Sequence, residues 1–69
     1  MNREPITLAD IERMTGGKAD YDAERNSVRV TWPDGVSNAV SRLRSSKEEL
    51  FRIAAFSLAD WNERRKADA

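Results

Sequence analysis

The 69-residue chain has no cysteine and no histidine. Without thiols there is no disulfide scaffold and no cysteine nucleophile; without imidazole the usual zinc ligand sets and the commonest acid/base side chain are missing. No apolar run approaches the roughly 18 residues of a membrane span. No leader pattern of a basic stretch followed by an apolar one opens the chain, so a cytoplasmic protein without a membrane partner is expected. An excess of one charge is also lacking, with 12 Lys and Arg against 12 Asp and Glu. Residues 1–26 hold four basic and six acidic groups and residues 27–69 hold eight and six, a slight asymmetry. A nucleic-acid binder ordinarily shows a stronger basic surplus, because phosphate neutralisation supplies most of the non-specific affinity.

Signals for catalysis are lacking in the same way. Thr15-Gly16-Gly17-Lys18 has neither the spacing nor the preceding strand of a phosphate-binding loop. Serine is plentiful but has no histidine to activate it, and Ser46-Lys47 is better explained by helix capping. Asp20, Asp22 and Glu24 alternate as calcium ligands can, yet the glycine and the bidentate glutamate of a calcium loop are missing. No catalytic residue, metal, cofactor or small-molecule ligand is expected, and the chain is read as one that works by binding.

What the chain does have is concentrated near its C-terminus. Ser46-Lys47-Glu48-Glu49 has the form of a capping box, and a helix of about 47–66 should follow, ending in Arg64-Arg65-Lys66 at the negative end of its dipole. On it Leu50, Phe51, Ala54, Ala55, Leu58 and Trp61 cover an arc of roughly 140°, one ordinary core face. Ile53 and Phe56 fall outside that arc, so the middle of the helix is apolar almost all round and should need two partners. A chain this short is marginal alone. Ordering costs on the order of 1.5 kcal/mol per residue, and short domains ordinarily add disulfides, a metal or oligomerisation. Oligomerisation is the device left, and an obligate homodimer is expected.

Elsewhere Thr7-Leu8-Ala9-Asp10 reads as an N-cap, with Leu8, Ile11 and Met14 at helical spacing, so a short helix over roughly 8–15 should stop at Gly16-Gly17. Residues 18–26 are polar and acidic without a clear period and read as a loop. Ser27-Val28-Arg29-Val30-Thr31-Trp32 alternates as a strand with Val28, Val30 and Trp32 inward, and Pro33-Asp34-Gly35 stops it. Beyond the turn, Val36, Ala39, Val40 and Leu43 fall on a helical stripe, while the same turn could open a second strand of a hairpin. The short helix is preferred and the hairpin stays open. The fold class expected is thus a small α+β homodimer of one domain, 1–69. Its N-terminal helix and acidic loop occupy 1–26. A strand-turn-helix-helix dimerisation core occupies 27–66.

That order, carried by the alternation from Ser27 to Trp32, the Trp32-Pro33 junction, the 36–43 stripe and the Ser46 to Glu49 helix start, resembles the ribbon-helix-helix family of dimeric repressors. The resemblance implies DNA binding, with Ser27, Arg29 and Thr31 entering the major groove and Ser46 and Lys47 clamping a phosphate. In length and style the whole chain also looks like the short early proteins with which temperate bacteriophages disable host proteins. Among these are anti-quorum-sensing inhibitors of a LasR-type transcription activator and of a type IV pilus assembly ATPase. This second resemblance implies a protein-binding inhibitor without catalysis, and the over-apolar helix is expected to supply the dimer or partner contacts through Phe51, Arg52, Ile53, Phe56, Leu58 and Trp61, with Glu63 as a charged neighbour. It is the preferred reading, and the DNA-binding repressor is the alternative.

Overall fold

The computed structural model describes residues 5–67. In chain order the elements are α1 (Leu8–Thr15), β1 (Lys18–Asp22), β2 (Ser27–Thr31), β3 (Ser37–Ser41) and α2 (Lys47–Ala67). The strands form an antiparallel sheet in the order β1-β2-β3. Helix α2 lies across one face of the sheet, against β3 and β2, and α1 fills the space between α2 and β1. The result is a two-layer α+β slab, 16 Å in its thinnest dimension. Among the described residues no helix is long and apolar enough to cross a membrane.

Both helix starts form as the sequence indicates. The Thr7 hydroxyl accepts from the Asp10 N–H, and the Asp10 carboxylate accepts from the Thr7 N–H at 2.9 Å. Gly16 then takes the left-handed conformation that ends α1, its N–H donating to Glu12 O. At α2 the Ser46 Oγ accepts from the Glu49 N–H at 3.1 Å, the N-cap half of the expected box without the return bond from the Glu49 carboxylate. The buried face of α2 consists of Leu50, Phe51, Ala54, Ala55, Leu58 and Asn62. These pack on Val28, Val30 and Trp32 of β2, Ala19 of β1 and Ile11 of α1. Full burial of side chains such as Ile11, Leu50, Leu58, Val28 and Val30 contributes about 1.5–3 kcal/mol each.

Two segments differ from their sequence reading. Residues 18–26, read as a loop, are β1 and a turn. Lys18, Asp20 and Asp22 face solvent while Ala19 is buried and Tyr21 half-buried, so the acidic run is the wet face of a strand whose inward side is thin. The turn closes through Asn26, the one non-glycine residue of positive φ (44°) among those described. Its Nδ2–H donates to Arg42 O and Ser45 O, and its Oδ1 accepts from the Tyr21 hydroxyl.

Residues 36–43, read as a helix, hold the strand β3, so the hairpin alternative is the one adopted. The Gly35 N–H donates to Trp32 O at 2.9 Å, the Trp32 N–H donates to Val36 O at 2.8 Å, and Gly35 has φ 90°. This is the three-residue hairpin loop in which a left-handed residue follows a tight turn. Proline suits the second position of the turn and glycine its left-handed end. The strand-turn-helix-helix order expected over 27–66 is therefore replaced by strand, strand, long helix.

The sheet edges are unlike each other. The bonds from Trp32 N–H to Val36 O and from Arg42 N–H to Asn26 O (3.1 Å) fix the even-numbered residues as those whose amides bridge β2 and β3. The amides of Ser37, Ala39 and Ser41 consequently point away from β2, into the open side of the sheet. By the same alternation the Ala19 amide points away from β2 on the other edge, but there its N–H donates to Glu12 Oε2 of α1 at 2.9 Å. Helix α1 thus caps one outward amide of β1, whereas among the described residues no element lies along the outer edge of β3.

The α1–β1 junction is tight. A Cβ on Gly17 would lie 2.6 Å from Val30 Cγ1 and 2.7 Å from the Thr31 carbonyl oxygen, and the latter is backbone that cannot turn aside. Gly17→Ala is expected to cost about 1–3 kcal/mol by forcing α1 off the sheet. Chemical denaturation followed by circular dichroism measures it.

Candidate interaction surface

The outer face of α2 carries Phe56, which is 60% exposed. One turn either side of it along the helix stand Arg52 and Asp60, and Glu49 and Glu63 lie two turns away on the same face. All four are exposed. The ring is thus an apolar group that the chain's own fold leaves uncovered, on a helix whose opposite face is buried. Ile53 is half-buried at the border of this face. Its position and that of Phe56 agree with their placement outside the core arc.

Two residues assigned to the dimer or partner surface lie in the protein's own core. Leu58 is 1% exposed, and Phe51 at 5% packs edge-on against Tyr21, with ring centroids 5.3 Å apart. Both point to the sheet because they belong to the same arc as Leu50 and Ala54. Trp61 is intermediate in role. It is 36% exposed, with its ring 5.3 Å from that of Trp32. Arg65 bridges the pair, its guanidinium 4.9 Å from the Trp32 ring and 5.5 Å from the Trp61 ring. It also donates to Asp34 Oδ2 at 2.7 Å and, through Nε, to Asn62 Oδ1 at 2.8 Å. Arg65 is thus a packed residue that ties α2 to the β2–β3 turn, where the sequence indicated only a basic group at the negative end of the helix dipole. The spacing of Trp61 and Arg65, four apart on one helix, was the available signal.

The residues of the DNA-binding alternative are scattered. Arg29 stands on the solvent face of β2 opposite Asp20 in the register and donates to Ser37 Oγ at 3.1 Å. Thr31 is exposed on the same face, but Ser27 is buried. Asp20, Asp22, Arg25, Ser27 and Arg29 share a shallow groove of about 290 Å³, whose charges are of mixed sign. Strand β2 is central, with β1 on one side and β3 on the other, so Arg29 does not stand at a sheet edge and the strand has no free edge to pair with a twin. Ser46 is occupied as the cap of α2, and the Lys47 ammonium sits 5.0 Å above the Tyr21 ring. Of the acidic run, Asp22 Oδ1 accepts from the Glu24 N–H within the turn. Among the described residues no three His, Cys, Asp or Glu side chains gather as metal ligands do.

A cleft of about 550 Å³ that sequence reasoning missed lies beside the start of α1, lined chiefly by Pro5, Ile6, Leu8, Tyr21 and Phe51. No spacing in the sequence announces it, since its walls come from three separate elements.

Among the described residues two carboxyls titrate away from their ordinary value of 3.8, both downward. Asp10 is held down by its hydrogen bonds from the Thr7 backbone and hydroxyl, with Arg13 adding a favourable charge. For Asp34 the cause is the hydrogen bond from Arg65, then that from the Val36 N–H. A depressed folded pKa means that the unfolded chain takes up the proton first as pH falls. The stability these groups contribute is present in full above the ordinary carboxylate pKa and is lost as pH drops through the folded value. Asp34→Asn should lower the melting temperature at neutral pH and flatten its fall below about pH 4, as thermal melts across that range would show. Both groups are exposed, so the effect is modest.

No family profile, curated protein or solved structure matches the chain.

Proposed function

We propose that the chain is a non-enzymatic, homodimeric regulatory protein that acts in the bacterial cytoplasm by binding and inhibiting another protein through the outer face of α2. The observation that carries this reading is Phe56, a large ring three-fifths exposed on a face whose opposite side is fully committed to the core. Aromatic and arginine side chains dominate interface hot spots, and Phe56 with Arg52 supplies both. The partner class is the one implied by the likeness to short phage inhibitors, a quorum-sensing transcription activator, with a type IV pilus ATPase as the second target. The operator-reading alternative draws less support, because β2 is enclosed between two strands and the face bearing Arg29 also bears Asp20 and Asp22.

The test uses purified protein and a purified activator of that class. Wild type should co-elute with it in stoichiometric amount, and Phe56→Glu should weaken binding at least about thirtyfold, the loss of one hot spot, with an unchanged circular dichroism spectrum. Equal binding by both proteins would sink the assignment of the surface. A salt-sensitive gel shift on promoter DNA that disappears in Arg29→Ala would replace the reading with the repressor one.

A further inference from the structure

We infer that two copies of this chain join edge to edge through β3, in antiparallel register with Ala39 opposite Ala39 of the second copy, making one continuous six-stranded sheet with both α2 helices on the same face. The inference rests on the homodimeric reading and names its interface.

The open edge is the first ground. Ser37, Ala39 and Ser41 aim their amides away from β2, and pairing about Ala39 sets Ser37 against Ser41 of the second copy, so all three positions face outward amides. Protective devices on exposed edges include lysine, proline, bulges and inward charges; the segment Ser37-Asn38-Ala39-Val40-Ser41 contains no charged residue and no proline. The Ala39 N–H is met only by the neighbouring Asn38 Oδ1, at 2.8 Å, where a carbonyl of the second copy would stand.

Cover for exposed apolar surface is the second. Val36 and Leu43, exposed by 38% and 75%, stand at opposite ends of β3. In this register Val36, on the face that carries α2, stands opposite Arg42 of the other copy, whose aliphatic stem covers it, and Leu43, on the other face, comes opposite Gly35.

Helix α2 supplies the third. Asn62 donates to Thr15 O, which fixes the α1 side of α2; the flank with Ile53, Ser57 and Arg64 therefore faces the β3 side. With α2 seated over β3 and β2 and strands about 4.8 Å apart, the two helix axes come roughly 10 Å apart, the spacing of packed helices. They run antiparallel. Glu49 in the first turn then comes toward Arg64 in the last turn of the second copy. Phe56 points away from the sheet and stays free, so the dimer shows two such rings on adjacent helices.

Because the chain has no cysteine, Ala39→Cys introduces a single thiol. An antiparallel hydrogen-bonded pair places Cα atoms about 5.5 Å apart, within disulfide reach. Oxidation should convert Ala39→Cys to a covalent dimer in high yield and leave an Asp20→Cys control, on the other edge strand, mostly uncrosslinked. Ala39→Lys places two ammonium groups at the axis, and Ala39→Pro removes an N–H that the β2–β3 ladder does not use. Both should reduce the light-scattering mass to that of one chain with unchanged circular dichroism, and Ala39→Lys decides if the proline variant does not fold. Wild type of dimer mass with no Ala39→Cys crosslink and a dimeric Ala39→Lys would overturn edge pairing while leaving homodimerisation intact. Wild type of single-chain mass at millimolar concentration would overturn both.

Discussion

Trp32→Ala is expected to leave most of the chain unfolded at room temperature. Trp32 is 4% exposed at the end of β2, and its Nε1–H donates to Thr15 O at 2.8 Å. Its indole also stacks with Trp61 and lies beneath Arg65, so one side chain joins α1, β2 and α2. Truncating a buried Trp to Ala costs about 3–5 kcal/mol. Stability of roughly 0.05–0.15 kcal/mol per residue amounts to about 3–10 kcal/mol for a chain of this length, so the loss is comparable to the whole. Trp32→Phe separates the contributions: it keeps most of the apolar contact but drops the N–H. Thr15 O would still accept from Asn62 Nδ2 at 3.1 Å, so that variant should lose only about 1–2 kcal/mol beyond the change in packing. Urea titration followed by circular dichroism measures both. A Trp32→Ala variant melting within a few degrees of wild type would show that the three elements are not coupled through this ring.

The elements legible in the sequence are those whose signals are local. A cap residue with a carboxylate three positions on marks both helix starts, and the inward set Val28, Val30 and Trp32 is strongly apolar, so α1, β2 and α2 stand close to where they were expected. Strand β1 could not be read that way, because its inward residues are only Ala19 and Tyr21 among acidic neighbours. What makes it a strand is pairing with β2, a non-local interaction that overrides weak propensity. At β3 two local signals competed. The helical stripe Val36, Ala39, Val40 and Leu43 proved accidental, since Val36 and Leu43 are exposed and Ala39 and Val40 lie on opposite faces of the sheet. Pro33-Asp34-Gly35 prevailed, because a turn that closes on Trp32 delivers the next residues directly onto the free side of β2.

For the candidate surface the same distinction holds. That Phe56 lies off the core arc follows from helical geometry alone, and so does the exposure of Arg52. Helical geometry also placed Phe51 and Leu58 inside the arc, and assigning them to an external partner rested on the expectation that one chain could not cover so apolar a helix. The additional strands β1 and β3 widen the sheet enough to cover it. Arg65 was missed for a related reason: its acceptor Asp34 and its companion Trp32 come from the turn and strand, and only the folded chain brings them to the helix end.

The sharpest separation of core from surface on α2 is expected between two residues one position apart from being neighbours. Leu58→Ala should destabilise the chain by about 2–5 kcal/mol, because Leu58 is 1% exposed in the centre of the helix–sheet layer and the methyl groups removed leave a cavity the strands cannot fill. Phe56→Ala should change stability by no more than about 0.5 kcal/mol, since an exposed ring loses little on truncation, yet it should impair partner binding. If Leu58 instead served the dimer or partner surface to which it was assigned, Leu58→Ala would weaken association and leave the melting of the dissociated chain unchanged. Denaturation at low protein concentration, where association is suppressed, decides between the two. A loss of stability there that is independent of concentration places Leu58 in the monomer core. With Leu58 committed inward, the proposed dimer uses the β3 edge and the proposed partner surface uses Phe56, so in this reading the long helix stabilises its own chain and grips another with different sides of the same turn.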